Sequence, residues 1–351
     1  MTFEEFIMQA REMNASDIHL TVGAPTVVRV NGELRKYTEL SDQVVNRTIL
    51  SILSAEQEKM LNDGKDIDFS FELKNGARQR VNVFRQSGKL AACIRLLNAE
   101  IPTLEELKMP PVLLDFAKKR RGLVLVTGPT GAGKSTTLAA LVEYINKTRP
   151  CHIITIEDPI EYRYKQEKAT IHQRELGRDV PSFHEALRSA LREDPDVILI
   201  GEMRDYETIS LAMTAAETGH LVFGTLHTSS AAQTVDRIID ACPVHSQEQV
   251  RSQLASMIQA IIAQSLIPRS DGKGRVAAVE VMVGTDAIKN LIRSNKINMM
   301  ETTMASGGRD GMCTLNDSLA KLYMTGQIAY ETALEYSTDR NEMEKKLLNS
   351  I

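Results

Sequence analysis

A short glycine-rich segment that directly follows an apolar run constrains this chain more than any other feature. The segment Gly128–Ser135 reads GPTGAGKS and matches the pattern GxxxxGK[ST]. The preceding residues, 123–127, are apolar and β-branched, and a helix is predicted from Lys134 to Ile145. A strand, a glycine-rich loop and a helix in this order form the phosphate-binding unit of an α/β domain.

The residue types in this loop fit the chemistry of a polyphosphate. Glycines let backbone N–H groups turn inward around phosphate oxygens, and the helix N-terminus adds positive potential. We expect Lys134 to reach the β- and γ-phosphates and the Ser135 hydroxyl to ligate Mg²⁺. The full predicted nucleotide-binding set is Gly128, Pro129, Thr130, Gly131, Ala132, Gly133, Lys134, Ser135 and Thr136.

Hydrolysis also needs acidic groups near the phosphates, and two candidate segments end predicted strands. Residues 194–202 form an apolar run that ends in Glu202, which is placed to hold Mg²⁺ directly or through a water. The second segment, residues 156–161, carries three carboxylates, and either Glu161 or Glu157 is the candidate general base. Each acid could instead be a solvated residue at the end of a strand.

Three further polar side chains lie near these segments. In residues 217–227, His220 precedes a predicted strand and His227 follows it. Either histidine could sense the γ-phosphate through a hydrogen bond, or could only cap the strand. Arg204 could pair with the acids of its segment, or could be purely structural.

The pattern of residues divides the chain into regions. Residues 1–97 predict a small α+β unit that includes a helical stretch from 42 to 61, and the proline-containing residues 98–111 are the predicted linker. In 112–285, compact apolar runs alternate with helices, which is typical of a parallel sheet flanked by helices. Residues 286–351 are predicted to be mostly helical. A length of 351 residues suggests two domains, with a smaller C-terminal piece.

Composition and charge argue against several classes of protein. With 42 basic and 46 acidic residues, the net charge of -4 gives no electrostatic argument for binding nucleic acid. No apolar run approaches the roughly 18–20 residues that span a bilayer, and residues 1–13 are unlike a signal peptide. The four cysteines lie far apart, which argues against a zinc site and a disulfide framework. We therefore expect a cytoplasmic protein without a nucleic-acid partner.

The order of four segments resembles the secretion and type IV pilus motor ATPases. The loop, IEDPIE (156–161), DPDVILIGEMRD (194–205) and TGHLVFGTLHT (218–228) are similar to that family's Walker A, Asp box, Walker B and His box. The residues around Asp17 look like the family's N-terminal PAS-like domain. The resemblance covers nearly the whole chain. It implies an α/β fold, in which a RecA-like P-loop NTPase domain follows a PAS-like α+β domain and precedes a C-terminal helical region.

Within that family, the chain resembles the branch that retracts type IV pili. Residues 287–294, AIKNLIRS, are similar to the AIRNLIRE segment of this branch, with departures at Lys289 and Ser294. Residues 311–315, GMCTL, are similar to its GMQTL segment. The chain length is close to that of retraction ATPases, and the paired CxxC motif common in assembly and secretion members is missing. The helix at 287–294 could dock a partner or pack in the core.

The resemblance implies a homohexamer that hydrolyses ATP with Mg²⁺ to drive pilus retraction. It also implies that Arg80 and Arg95 close over the nucleotide phosphates, although either could be a surface arginine. The implied partner is the pilus platform protein of the inner membrane, so peripheral association at its cytoplasmic face is expected. Three alternatives stay open: a motor for pilus assembly or type II secretion, a nucleotide-gated module with little turnover, and a nucleic-acid translocase.

Overall fold

The chain forms two compact units. The computed structural model describes residues 3–30, 32–73, 76–97 and 100–348. The first unit comprises Met1–Glu100 with Pro159–Arg163, and the second comprises Ile101–Asp158 with Tyr164–Ile351. The start of the predicted linker, Asn98 and Ala99, and the last three residues of the predicted helical region lie outside the described residues.

The first unit is an antiparallel sheet packed against helices. Its helices are α1 (Phe3–Glu12), α2 (Asp42–Ser51) and α3 (Ala55–Asn62). Its strands are β1 (Ala15–Thr21), β2 (Val27–Val30), β3 (Glu33–Lys36), β4 (Ile67–Glu72), β5 (Arg78–Gln86) and β6 (Lys89–Leu96). The strand order is β3-β2-β1-β6-β5-β4.

Strand alternation gives this sheet an apolar and a polar face. Ile18 and Ile94 are fully buried in the cluster that also contains the apolar residues of the helices. On the other face, Arg95 lies directly across from Asp17 of β1 and from Arg80 of β5. The two arginines that the resemblance singles out are therefore cross-strand neighbours.

The helical stretch predicted from 42 to 61 is interrupted. The chain leaves α2 at Ser51 and enters α3 at Ala55, with Ser54 as the N-cap. The Ser54 hydroxyl accepts a hydrogen bond from the Gln57 N–H, and the Gln57 side chain accepts one from the Ser54 N–H. This capping box starts a second helix because its N-cap residue has extended dihedral angles.

The second unit is built on a seven-stranded sheet. Its strands are β7 (Gly122–Thr127), β8 (His152–Glu157), β9 (Thr170–Glu175), β10 (Val197–Ile200), β11 (Leu221–Leu226), β12 (Ile258–Pro268) and β13 (Arg275–Val283). Its helices are α4 (Val112–Ala117), α5 (Lys134–Thr148), α6 (Phe183–Ala190), α7 (Tyr206–Glu217), α8 (Ala231–Asp240), α9 (Gln247–Met257), α10 (Asp286–Arg293), α11 (Met300–Ser306), α12 (Leu315–Met324), α13 (Tyr330–Glu335) and α14 (Arg340–Leu348).

The strands of this sheet are parallel from β12 to β9 in the order β13-β12-β7-β11-β10-β8-β9, and β13 runs antiparallel to β12. Strands β7, β10 and β11 are buried along their whole length because apolar clusters cover both faces. The predicted parallel sheet is thus confirmed. We call the edge reached after Thr127, Glu157, Ile200 and Leu226 the carboxyl edge, and the opposite one the amino edge.

Part of the predicted linker packs in the core of the second unit. Leu104 and Met109 are buried in the apolar cluster that also holds Leu113 and Phe116 of α4. These two side chains therefore anchor residues 101–111 to the second unit. Their apolar side chains gain free energy by leaving water, although the prolines around them suggest a loop.

The last helices cover the β12–β13 hairpin. Ile267 and Val276 of the hairpin share an apolar cluster with Leu319 of α12, Leu334 of α13 and Met343 of α14. Across the described part of the chain, no helix has both the length and the apolar composition that crossing a bilayer requires.

Candidate nucleotide site

The glycine-rich loop leaves β7 at the carboxyl edge and leads into α5. Gly128 and Gly133 have φ values of 143° and 88°, which residues with a Cβ rarely adopt. A Cβ on Gly128 would stand 2.2 Å from the carbonyl oxygen of Gln264 in β12, and one on Gly133 would stand 2.8 Å from Gln264 Nε2. Both positions therefore require glycine, for backbone conformation and for space.

Lys134 is the first residue of α5, and its ammonium group lies against the loop. Nζ donates hydrogen bonds to the carbonyl oxygens of Gly128 at 2.7 Å and Pro129 at 3.1 Å. Gly133 is the N-cap of the helix and has no side chain to offer the first N–H groups. A helix N-terminus and a lysine at one loop can together bind a chain of phosphates.

Gln264 contacts the loop but belongs to none of the sequence motifs described above. Gln264 is buried in β12, where Nε2 donates to the Ala132 carbonyl at 2.6 Å and Oε1 accepts from the Thr137 hydroxyl at 2.8 Å. The predictions from sequence omit both β12 and this glutamine. A polar residue inside the apolar run 258–267 is the signal that could have identified it, because a buried amide needs partners.

Glu202 follows β10 at the same edge and is surrounded by cationic groups. Arg204 contacts both carboxylate oxygens, with Nε 2.6 Å from Oε1 and Nη2 2.7 Å from Oε2. His227, which follows β11, places Nε2 3.2 Å from Oε1. The Arg204 hydrogen bond is the main cause that holds the pKa of Glu202 below its usual value, and the charges of His227 and Lys134 act in the same direction. Glu202 is therefore ionised at neutral pH, and its predicted pairing with Arg204 is confirmed.

Glu157 ends β8, the strand next to β10. Its Oε1 accepts hydrogen bonds from the Thr155 hydroxyl at 2.6 Å and from the Gln173 amide at 3.2 Å. The parallel register of β8 and β10 brings Glu157 and Glu202 to neighbouring strand ends. The predicted site residues that meet at the carboxyl edge are the loop 128–133, Lys134, Glu157, Glu202 and His227.

His220 lies at the amino edge instead. It precedes β11, with Nδ1 2.9 Å from the Ala215 carbonyl oxygen and 3.3 Å from the Thr218 hydroxyl. The six residues of β11 separate it from His227 by roughly 20 Å, since a strand rises about 3.3 Å per residue. Capping of the strand agrees with this position of His220. Its contact with a γ-phosphate stays a prediction.

Arg80 and Arg95 belong to the first unit, where each pairs with a carboxylate of its own sheet. Arg80 makes a two-pronged ion pair with Asp68, with Nη2 2.6 Å from Oδ2 and Nε 3.2 Å from Oδ1. Arg95 Nε donates to Asp17 Oδ1 at 3.0 Å. These pairs orient both guanidinium groups. Their action on a nucleotide stays a prediction.

Glu161 lies in the segment Pro159–Arg163, which groups with the first unit, whereas Asp158 and Tyr164 on either side group with the second. Its neighbours in sequence, Ile160 and Tyr162, are buried. Buried residues on both sides restrict the backbone that carries the Glu161 carboxylate. The role of Glu161 as a general base stays a prediction.

A cavity of about 240 Å³ lies in the second unit next to the amino end of α5. Gly133 and Thr136 line it together with Lys108, Arg269 and Arg275. Its lining therefore combines the start of α5 with three cationic side chains.

The family of the chain is decided by a match along nearly its whole length. A family model described as type II/IV secretion system protein matches residues 1–345. The chain belongs to this family. The segments that carry the loop, Glu157, Glu202 and His227 all lie within the matched residues.

Several members of the secretion family that resemble this chain are pilus motors. The type IV pilus retraction ATPase PilT of Pseudomonas aeruginosa is 49% identical over 337 residues, which are 95% of this chain and 98% of that protein. A twitching motility protein of Neisseria gonorrhoeae is 49% identical over 319 residues, 90% of this chain and 85% of that protein.

A solved structure of this family shares the fold of the whole chain. The crystal structure of the pilus retraction motor PilT with bound ADP matches with a TM-score of 0.90 at 47% identity, and the match covers 98% of this chain and 99% of that one. This confirms the predicted α/β class, with an N-terminal α+β domain, a RecA-like domain and C-terminal helices.

The oxygen donors at the carboxyl edge fit a magnesium ion that is bound together with a nucleotide. Ser135 offers a hydroxyl at the start of α5, and Glu202 is an ionised carboxylate at the same edge. Mg²⁺ usually takes one or two protein oxygens and completes its shell with phosphates and water. In residues 3–30, 32–73, 76–97 and 100–348, no group of three or more His, Cys, Asp and Glu is placed to hold a metal.

Proposed function

We propose that this protein is an ATP-hydrolysing motor that retracts type IV pili. The observation that carries the proposal is its similarity to a retraction ATPase along nearly the full length of both chains. The site supports it, because the phosphate loop, the ionised Glu202 and His227 share one edge of the sheet. Repeated hydrolysis at this edge would supply the free energy for movement.

The loop residues have the central part in binding ATP. Backbone N–H groups of residues 130–136 surround the phosphates, and Lys134 contacts the β- and γ-phosphates. Mg²⁺, when bound, neutralises phosphate charge. The residues that would hold it are Ser135 and Glu202, the latter directly or through a water. His227 and Arg204 keep the Glu202 carboxylate oriented.

Glu161 is the proposed general base, and Glu157 is the alternative. A base accepts the proton of the attacking water, which contributes about 100- to 10,000-fold to the rate. Glu161→Gln should therefore retain binding of MgADP, measured by calorimetry, and lose at least about 100-fold in turnover. Glu157→Gln is the matched variant. Near-normal turnover of Glu161→Gln would remove Glu161 from this role, and a larger loss in Glu157→Gln would transfer the role to Glu157.

The working assembly is proposed to be a homohexamer with heterologous interfaces, because each subunit of a ring uses two different faces. Arg80 and Arg95 would close over the phosphates and stabilise the charge that develops on the γ-phosphoryl group. The ring would lie in the cytoplasm, at the inner membrane, through contact with the pilus platform protein.

Helix α10 is the proposed docking element for that platform protein. Its apolar side is already used, since Ile288 and Ile292 are buried in the core. Its polar side, with Arg293 exposed and Lys289 partly exposed, is available. Replacing Lys289 and Arg293 by Glu should leave ATP hydrolysis intact and abolish retraction, whereas the exposed control Lys345→Glu should not. Unchanged retraction in the double variant would contradict docking through α10.

The experiment that tests the function is imaging of labelled pili in a strain that lacks this gene. Abundant static pili, rescued by the wild-type gene but not by Lys134→Ala, are expected for a retraction motor. Cells without pili would instead indicate an assembly motor. Normal pilus dynamics would contradict the proposal and favour a secretion motor.

A further inference from the structure

Gln264 reaches the phosphate loop from the neighbouring strand. Strand β12 runs parallel to β7 with Ala263 opposite Thr127, so that Gln264 lies level with the start of the loop. The side chain is almost completely buried, with 3% of its surface exposed. It bridges Ala132 in the loop and Thr137 in the first turns of α5, through the 2.6 Å and 2.8 Å hydrogen bonds given above.

The chemistry of this bridge requires an amide. Ala132 presents a carbonyl oxygen, which needs a donor, and the Thr137 hydroxyl donates its proton to the bridge. An amide supplies one donor and one acceptor from the same group. A carboxylate cannot donate, and an aliphatic side chain can neither donate nor accept. Either substitution would leave a buried polar group unpaired, which costs more than the bond itself contributes.

The backbone of Gln264 is as close to the loop as its side chain. Its carbonyl oxygen lies 2.2 Å from where a Cβ of Gly128 would stand, and Nε2 lies 2.8 Å from where a Cβ of Gly133 would stand. The two glycines that begin and end the loop therefore pack on one residue of β12. The shape of the loop depends on this residue, because its backbone oxygen and its side-chain amide contact both ends of the loop and bond to Ala132 within it.

We propose that Gln264 is a positioning residue of the nucleotide site, whose amide holds the phosphate loop in its binding shape. This inference rests on the proposed function, since it assumes that the loop binds a nucleotide. A loop held in this shape loses less conformational entropy when phosphates bind, so nucleotide affinity is higher. Gln264 acts through Ala132 and Thr137.

The test is the affinity of Gln264→Glu for MgADP at two pH values. At about pH 8.5 the introduced carboxyl is charged and cannot donate to Ala132, and we expect affinity about tenfold below wild type. At about pH 5.5 the carboxyl is protonated, helped by a buried site that raises its pKa, and a neutral acid again has one donor and one acceptor. The deficit relative to wild type at the same pH should then shrink to about twofold.

Two controls separate this role from a general loss of stability. Gln249→Glu adds the same charge on the exposed face of α9 and should bind MgADP like wild type at both pH values. Thr137→Ser keeps the hydroxyl and should bind like wild type, whereas the isosteric Thr137→Val should bind several-fold more weakly. Urea unfolding of each variant shows whether it is folded.

The outcomes distinguish this inference from the proposed function. If wild type binds MgADP and Gln264→Glu binds equally well at about pH 8.5, Gln264 does not position the loop. An equal deficit at both pH values, with Thr137→Val like wild type, would also overturn the inference. If wild type itself fails to bind MgADP, the proposed function fails instead.

Discussion

The two edges of the seven-stranded sheet carry similar residue types in different surroundings. At the carboxyl edge, His227 lies against the carboxylate of Glu202, next to the phosphate loop. At the amino edge, ring nitrogens of His152 and His172 lie 2.8 Å apart, and the Asp196 carboxylate accepts a hydrogen bond from the backbone N–H of His152 at 2.9 Å. These polar side chains at the amino edge thus form hydrogen bonds with one another and with backbone groups at the start of a strand.

The direction of the strands explains this difference. At the carboxyl edge, chain segments leave parallel strands and enter helices, so helix N-termini and loop N–H groups collect there and attract anions. At the amino edge, chain segments arrive from helices and must satisfy the first backbone groups of the strands, as His220 and Asp196 do. The same residue type is therefore a candidate for chemistry at one edge and for structure at the other.

Among the variants that test the difference between the two edges, replacement of Lys134 should cause the largest loss of ATP hydrolysis. Replacement by Ala removes the ammonium group that we propose contacts the β- and γ-phosphates, and ATP hydrolysis should fall by about 100- to 1,000-fold. Lys147→Ala, on the last turn of the same helix and paired with Glu143, is the control and should keep its activity. Steady-state phosphate release measures both. An active Lys134→Ala enzyme would contradict the assignment of the loop.

One acidic residue at the carboxyl edge and one at the amino edge provide the next comparison. Glu202→Gln should lower the rate of hydrolysis by about 10- to 100-fold with little change in MgADP affinity, because it removes the charge that we propose supports the metal. Asp196→Asn keeps an acceptor for the His152 N–H and should change the rate by no more than about twofold. Equal losses in the two variants would break the distinction between the edges.

The two histidines that bracket β11 provide a finer comparison. His227→Ala removes the group that lies 3.2 Å from Glu202, and the rate should fall by about tenfold. His220→Ala should leave the rate within about twofold of wild type and lower the free energy of unfolding by about 1 kcal/mol, through loss of its bond to Ala215. Hydrolysis rates and urea unfolding report these effects. A reversed order would place the site at the amino edge.

The smallest effect concerns pH. The pKa of Glu202 is lower in the folded protein than its ordinary value of 4.5, so the folded state favours the charged form. Its stabilising contribution is therefore fully present above that ordinary value and is lost as pH falls through the lowered pKa. Replacing His227 by Ala removes the ionisable imidazole beside Glu202. In that background, urea unfolding with and without Glu202→Gln should differ by a constant amount from pH 6 to 8, and the difference should shrink only in acid, below about pH 4.5. A difference that varies near pH 7 would contradict the lowered pKa.

Local patterns predicted much of the fold, and their limits are physical. Strands such as residues 123–127 and 197–200 are buried on both faces. Their sequences are therefore continuous apolar runs, which can be recognised without knowledge of the rest of the fold. The helical stretch predicted from 42 to 61 forms two helices, because a capping box at Ser54 begins a second helix. Residues 101–111 were predicted as a linker from their prolines, whereas burial of apolar side chains decided their position.

The amino-acid sequence by itself determined the family, the α/β class and the phosphate loop, because a glycine loop between a strand and a helix is built from neighbours in the chain. Only the tertiary structure showed which of the two histidines lies beside Glu202. It also showed that Gln264 forms a hydrogen bond with Ala132 of the loop, 132 residues earlier in the chain. These contacts depend on the order and direction of the strands. A local sequence pattern predicts which residues are buried. The order and direction of the strands determine which of these residues contact one another.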